Sequence, residues 1–183
     1  MNKVLIVVDM QGDFINGNLG TPEAVSIVDK VATRIANSKE ELILFTQDTH
    51  ESDYLQTPEG KKLPVIHCLN GTTGWQINEK VKEAWRQNNN TIILPNLKEN
   101  TFIKQVFGSV ALVDFLKQHE NNIKEIEIVG ICTDICVISN AIMIKNYLPQ
   151  AKIAVNKNLC AGVSPDTHLK ALEIMSICHI DII

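Results

Sequence analysis

Ile126–Ile142 reads IEIVGICTDICVISNAI, and the fold turns on where its rhythm changes. The first six residues form a short, nearly apolar, β-branched run, the pattern of a strand covered on both faces. Beyond Cys132 the run can continue as a helix begun by Thr133 or Asp134, which puts Cys136 in the first helical turn. Cys132 and Cys136 are spaced C-x-x-x-C, which does not fit the C-x-x-C of zinc knuckles or dithiol redox sites. Two readings remain for the pair: small core residues at i and i+4, or a thiol aimed at the mouth of a helix.

Comparable strand-like runs lie on both sides of this stretch. They are KVLIVVDM (Lys3–Met10), ELILFTQD (Glu41–Asp48), TIILPN (Thr91–Asn96), AKIAVN (Ala151–Asn156) and CHIDII (Cys178–Ile183). Helical patterns alternate with them. In Thr21–Ser38, Thr21 reads as an N-cap and Pro22 as the first helical residue, and Ala24, Ile27, Val28, Val31 and Ile35 share one stripe. Further apolar stripes run through Ile77, Val81 and Trp85, through Leu112, Phe115 and Leu116, and through Leu169, Leu172 and Met175, with Ser109 and Ser164 as caps. Strand and helix in alternation predict an α/β fold: a three-layer, doubly wound, Rossmann-like and mainly parallel six-stranded sheet with helices on both faces. At 183 residues the expectation is a single domain over positions 1–183. The irregular stretch Thr49–Gly74 exceeds an ordinary connection and is expected to be a functional loop.

Seventeen Lys and Arg against 21 Asp and Glu leave a net charge of −4, so there is no basic surplus for a nucleic-acid backbone. No apolar run approaches the roughly 20 residues that span a bilayer. The five cysteines are odd in number and scattered, which argues against a disulfide framework, and the N-terminus lacks signal-peptide features. A cytoplasmic protein acting on a small molecule is expected, with neither nucleic acid nor membrane as partner. Neither G-x-G-x-x-G nor the phosphate-loop pattern occurs.

Ligands of open parallel sheets gather beyond the carboxyl ends of the strands. The polar residues predicted there are Asp9, Asp48, His50, Lys104, Cys132 and Cys136. A thiol in a first helical turn is favoured as thiolate by the free N–H groups and the helix dipole, and Lys104 is the obvious nearby cation. Asp9 can take the thiol proton and later return it to a leaving amine, as acyl transfer requires. Asp48, His50 and His67 add a D-x-H pair and a distant imidazole, a donor set suited to zinc, iron or manganese.

The segments DMQGDF (Asp9–Phe14), DTH (Asp48–His50), HCLNGTTG (His67–Gly74), KQVFGS (Lys104–Ser109) and GICTDICV (Gly130–Val137), with LCAGVSPDTHLKALEIM (Leu159–Met175), resemble in order the isochorismatase-like cysteine hydrolases, and within them the nicotinamidases. The resemblance implies Cys136 as nucleophile, Asp9 as proton shuttle and Lys104 as the cation beside the thiolate. It implies a cis peptide at Ile131–Cys132, an oxyanion hole from the backbone N–H groups of Cys132 and Cys136, and a Cys132 side chain with no part in the chemistry. It implies a divalent metal ion, zinc first, on Asp48, His50 and His67, with Glu59 as the added acidic ligand, holding a pyridine nitrogen. Phe14 and Phe107 are the candidate walls for the ring. It also implies a homo-oligomer, dimer or tetramer, in pyridine nucleotide salvage.

The resemblance departs at Pro64, where nicotinamidases carry an aromatic pocket residue. The expected activity is therefore hydrolysis of a small carboxamide, first nicotinamide to nicotinate and ammonia. A carbamoyl or ureido substrate for the same Asp-Lys-Cys set is the alternative. A third reading is a receiver- or flavodoxin-like binding domain, with Asp9, Asp13 and Lys104 around magnesium or a phosphoryl group.

Overall fold

A computed structural model describes residues 2–40 and 42–183; Met1 and Glu41, the latter the first residue of an expected strand, lie outside the described residues. Six strands form one parallel sheet: β1 (Lys3–Val8), β2 (Leu42–Asp48), β3 (Thr101–Lys104), β4 (Glu125–Ile131), β5 (Lys152–Ala161) and β6 (Asp181–Ile182). Their order is β3-β2-β1-β4-β5-β6, so the chain winds outward from β1 through β3 and then crosses back to place β4 on β1's other side. The switch point, where two neighbouring strands lead away in opposite directions, lies between β1 and β4. That is where a crevice forms in such sheets.

Among the described residues seven α-helices accompany the strands: α1 (Gly12–Ile15), α2 (Pro22–Ala36), α3 (Pro58–Lys62), α4 (Glu79–Arg86), α5 (Val110–Gln118), α6 (Ile138–Tyr147) and α7 (Pro165–Ile177). Because successive strand residues face opposite sides, Val4, Ile6 and Val8 of β1 join a core with α5, α6 and α7, while Leu5 and Val7 join one with α1, α2 and α4. In α2 the Thr21 hydroxyl accepts the Ala24 N–H at 3.0 Å, and the five predicted apolar residues are the buried ones. Each large aliphatic side chain so buried stabilises the fold by about 1.5–3 kcal/mol.

Two expectations fail. TIILPN is not a strand, and the third strand is Thr101–Lys104, whose last residue is the lysine expected to follow it. The cause is Asn100, fully buried, which donates to the Ile43 and Ile92 carbonyls at 3.0 and 2.7 Å and accepts the Leu94 N–H at 2.8 Å. With the Thr91 hydroxyl accepting the Ile43 N–H, side chains take the edge positions of β2 that a strand at 91–96 would have used. Leu169 is the second failure: it is 66% exposed, and α7 packs through Ala171, Leu172 and Met175.

One glycine sets the approach of β4 to β1. Gly130 has φ +121°, and a Cβ there would run into the Val8 carbonyl. Among the described residues no helix is long and apolar enough to cross a membrane.

Candidate active site

Asp9 leaves β1 with φ 45°, a left-handed backbone that costs a non-glycine residue about 1–3 kcal/mol. The turn is held by the Asp9 N–H to the Thr46 carbonyl and by the Gln11 N–H to the Asp9 carbonyl, and the Thr46 hydroxyl donates to Asp9 Oδ1 at 2.7 Å. Asp48 ends β2 and Lys104 ends β3, and the two are register partners. Beyond β4 the Ile131–Cys132 peptide is cis, and Thr133–Val137 forms a π-helical turn that runs into α6. Cys136, in that turn, is fixed by Asn140, whose Nδ2 donates to the Cys136 carbonyl at 2.8 Å while its Oδ1 accepts the Ser109 N–H.

These strand ends converge on one ammonium. Lys104 Nζ lies 2.7 Å from Asp9 Oδ2, 3.1 Å from Asp48 Oδ1 and 3.6 Å from Cys136 Sγ. All four residues are buried. Burial disfavours the ammonium, but Asp9, Cys136 and Asp48 outweigh it and raise the Lys104 pKa. Burial pushes the Asp9 carboxyl above its ordinary value, against the pull of Lys104.

Cys136 departs from the expectation of a standing thiolate. Burial and then Asp9 push its pKa well above the ordinary value, and Lys104 offsets this only in part. Asp9, the carboxyl beside it, is the group placed to exchange a proton with the thiol. Cys132 is held up to about 12, chiefly by burial and then by Asp134.

Asp48 turns its other oxygen outward. Oδ2 lies 3.0 Å from His50 Nε2 and 3.7 Å from His67 Nε2, and the ligand atoms of the three residues fall within 4.8 Å of one another. His67 Nδ1 is 2.8 Å from the Val65 carbonyl, which can only accept, so the proton sits on Nδ1 and the Nε2 lone pair faces the cluster. His50 Nε2 is buried and lies out of line for a hydrogen bond to Asp48, which leaves it unpartnered. Two imidazoles and a carboxylate, one nitrogen orphaned, fit a divalent ion. Glu59 Oε1 stands 3.8 Å from His50 Nε2, beside a cavity of about 720 Å³ lined also by Tyr54, Gln105 and Val106. Burial disfavours the His50 imidazolium, but Asp48 and then Glu59 raise its pKa; Asp48 is lowered, against burial, by His50 and Lys104.

Phe14 packs against His67 with ring centroids 5.5 Å apart, whereas Phe107 lies outside this cluster, 48% exposed. Pro64 is exposed. Sequence reading missed the supports. Gln11 is fully buried, accepts the Asp48 N–H at 2.7 Å and donates to the Asp48 carbonyl at 2.8 Å and the Trp75 carbonyl at 2.9 Å. Tyr54 packs on both His50 and His67, at 4.5 and 5.0 Å. Asp13, the third ligand of the receiver-like reading, accepts the Cys68 N–H at 2.7 Å and so braces the loop.

A doubly wound sheet with a thiol, an ammonium and a carboxylate at its switch point has the layout of a cysteine hydrolase. A profile of the isochorismatase domain matches residues 3–182, and the chain belongs to the isochorismatase family. It is 25% identical over 199 residues to the nicotinamidase/pyrazinamidase of Mycobacterium tuberculosis, covering 99% of this chain and 98% of that one. A pyrazinamidase of Pyrococcus horikoshii solved in complex with zinc superposes with a TM-score of 0.78 at 26% identity, over 100% of this chain and 99% of that one. The nicotinamidase PncA of Bacillus subtilis gives the same figures.

Proposed function

We propose that the chain is a cysteine amidohydrolase that converts nicotinamide and water to nicotinate and ammonia. Asp9 accepts the Cys136 proton as Sγ attacks the carboxamide carbon, and Lys104 balances the charge that moves between sulfur and carboxylate. The N–H groups of Cys132 and Cys136 receive the oxyanion. Asp9 returns the proton to the departing amine, leaving a thioester on Cys136. It then draws a proton from the water that cleaves the thioester and passes it to the departing Cys136 sulfur, which restores the starting thiol. The observation that carries this reading is the single ammonium within 2.7 Å of Asp9 and 3.6 Å of Cys136.

Asp48, His50 and His67 would hold a divalent ion, zinc before iron or manganese, with Glu59 at its edge. When bound, the ion supplies a Lewis acid that anchors a ring nitrogen. Phe14 and Phe107 are the proposed ring walls; the packing of Phe14 against His67 supports the first of them. We place the reaction in a single domain in the cytoplasm, which the unpaired state of all five cysteines supports. A homo-oligomer is supported by the exposed apolar residues Leu169, Ile174 and Ile177 on α7, and light scattering tests it.

The exposed Pro64 favours a second reading, a carbamoyl or ureido substrate for the same residues. Ammonia release from nicotinamide, pyrazinamide and carbamoyl or ureido compounds, with and without chelator, separates the two. Nicotinamide hydrolysis whose KM rises on chelation supports the first reading. Metal-independent turnover of an open-chain compound alone supports the second.

A further inference from the structure

The chemistry above leaves the closing motif, Leu159–Met175, without a role, although it lies against the turn that carries Cys136. The Val163 N–H points at the Asp134 carboxylate, 3.2 and 3.1 Å from its two oxygens. His168 Nδ1 lies 2.8 Å from the Thr133 hydroxyl. Thr133 is fully buried at the start of the π-helical turn, and His168 is half-buried in the first turns of α7. Gly162 allows the approach, because a Cβ there would stand 2.9 Å from His168 Cβ. The other side of this corner opens on a groove of about 320 Å³ lined by Ser26, Lys30, Lys157 and His168. The bond therefore reaches the nucleophile turn from a surface that shares no lining residue with the cavity beside Glu59.

We propose that His168 is a positioning residue. Through its bond to the Thr133 hydroxyl, and with the Asp134–Val163 contact beside it, it fixes where Cys136 Sγ and the adjoining N–H groups point. The hydroxyl is the only polar side-chain atom of Thr133, and its partner lies 35 residues on in the chain, so the bond ties two elements that local structure does not connect. Groups that would bind substrate in its ground state, His50, His67 and Tyr54, pack on one another, and none of them lines the groove at this corner. Loosening the clamp should thus slow the chemical step and leave substrate binding nearly as it was.

The kinetic arm of the test rests on the amidase reading; a hydrogen-exchange arm does not. For nicotinamide, His168→Ala is expected to lower kcat about tenfold or more with KM within about twofold, since small misplacement of a nucleophile slows reaction steeply. His168→Asn, which keeps a polar atom near the Nδ1 position, should recover most of kcat. Thr133→Val should copy His168→Ala, and the double variant should be no slower than either single one. Backbone amides of Thr133–Val137 should exchange faster in His168→Ala, with those of β1 and α2 unchanged. Unchanged kcat, kcat and KM moving together without recovery by Asn, additive effects in the double variant, or unaltered exchange in the turn would each overturn the proposal. If the wild-type chain hydrolyses no amide, the amidase reading fails, and exchange in the turn decides the clamp alone.

Discussion

A buried group of charges and a partly buried one sit at opposite ends of the same sheet and are built differently. At the carboxyl end, Lys104 is shared among Asp9, Asp48 and Cys136, at 2.7, 3.1 and 3.6 Å. Toward the amino end, Arg34 meets Glu127 through Nε and one terminal nitrogen at 3.3 and 2.5 Å, and Glu40 through both terminal nitrogens at 3.1 and 2.7 Å. Ser38 completes Glu40, and Asn156 donates to Glu127 at 3.0 Å. One ammonium against two carboxyls and a thiol leaves a proton without a fixed owner. A guanidinium forked onto two carboxylates leaves none. The difference separates a cluster made for proton transfer from one made to hold α2, the start of β2 and β4 together.

Removing charge at the two ends should therefore affect different quantities. The largest effect is expected from Cys136→Ala, which should reduce ammonia release to background, a loss of about 10⁴-fold or more, with little change in Tm. Asp9→Asn keeps shape and removes the proton acceptor; kcat should fall about 10²–10⁴-fold, as measured by steady-state kinetics. At the other end, Arg34→Ala strands two carboxylates and should lower unfolding free energy by about 2–3 kcal/mol in a urea titration, while kcat stays at the wild-type value. Loss of activity in Arg34→Ala at full folding would erase the distinction between the two ends.

The smallest effect is in pH dependence. Although burial raises it, Arg34 and Ser38 bring the Glu40 pKa down from its ordinary 4.5 to about 2. The unfolded chain binds this proton more readily, so the contribution is complete above 4.5 and is lost as pH falls through about 2. Allowing for solvent screening, about 1–2 kcal/mol should disappear over that window, and Glu40→Gln should remove this part of the acid slope in denaturant melts.

Much of this layout is legible in the sequence because it is local. Strand ends, the Thr21, Ser109 and Ser164 caps and the apolar stripe of α2 are written in residues a few positions apart. Asp9, Asp48 and Cys136 follow from the rule that parallel strands gather their ligands at one edge, whereas Lys104 reaches that edge as the last residue of a strand the sequence reading put at Thr91–Asn96. What escapes is contact between distant segments. Gln11 clamps Asp48 across 37 positions, and Asn100 blocks the edge of β2 with a side chain where backbone pairing was expected. The upward push on the Cys136 thiol escapes too, because burial enters only when the layers close over it.

The most direct measurement is mass spectrometry of the enzyme acid-quenched during turnover of nicotinamide. The account expects an acyl group on the peptide that holds Cys136, absent from Cys136→Ala. Turnover with that peptide unmodified and the Cys136→Ala enzyme as fast as wild type would contradict it.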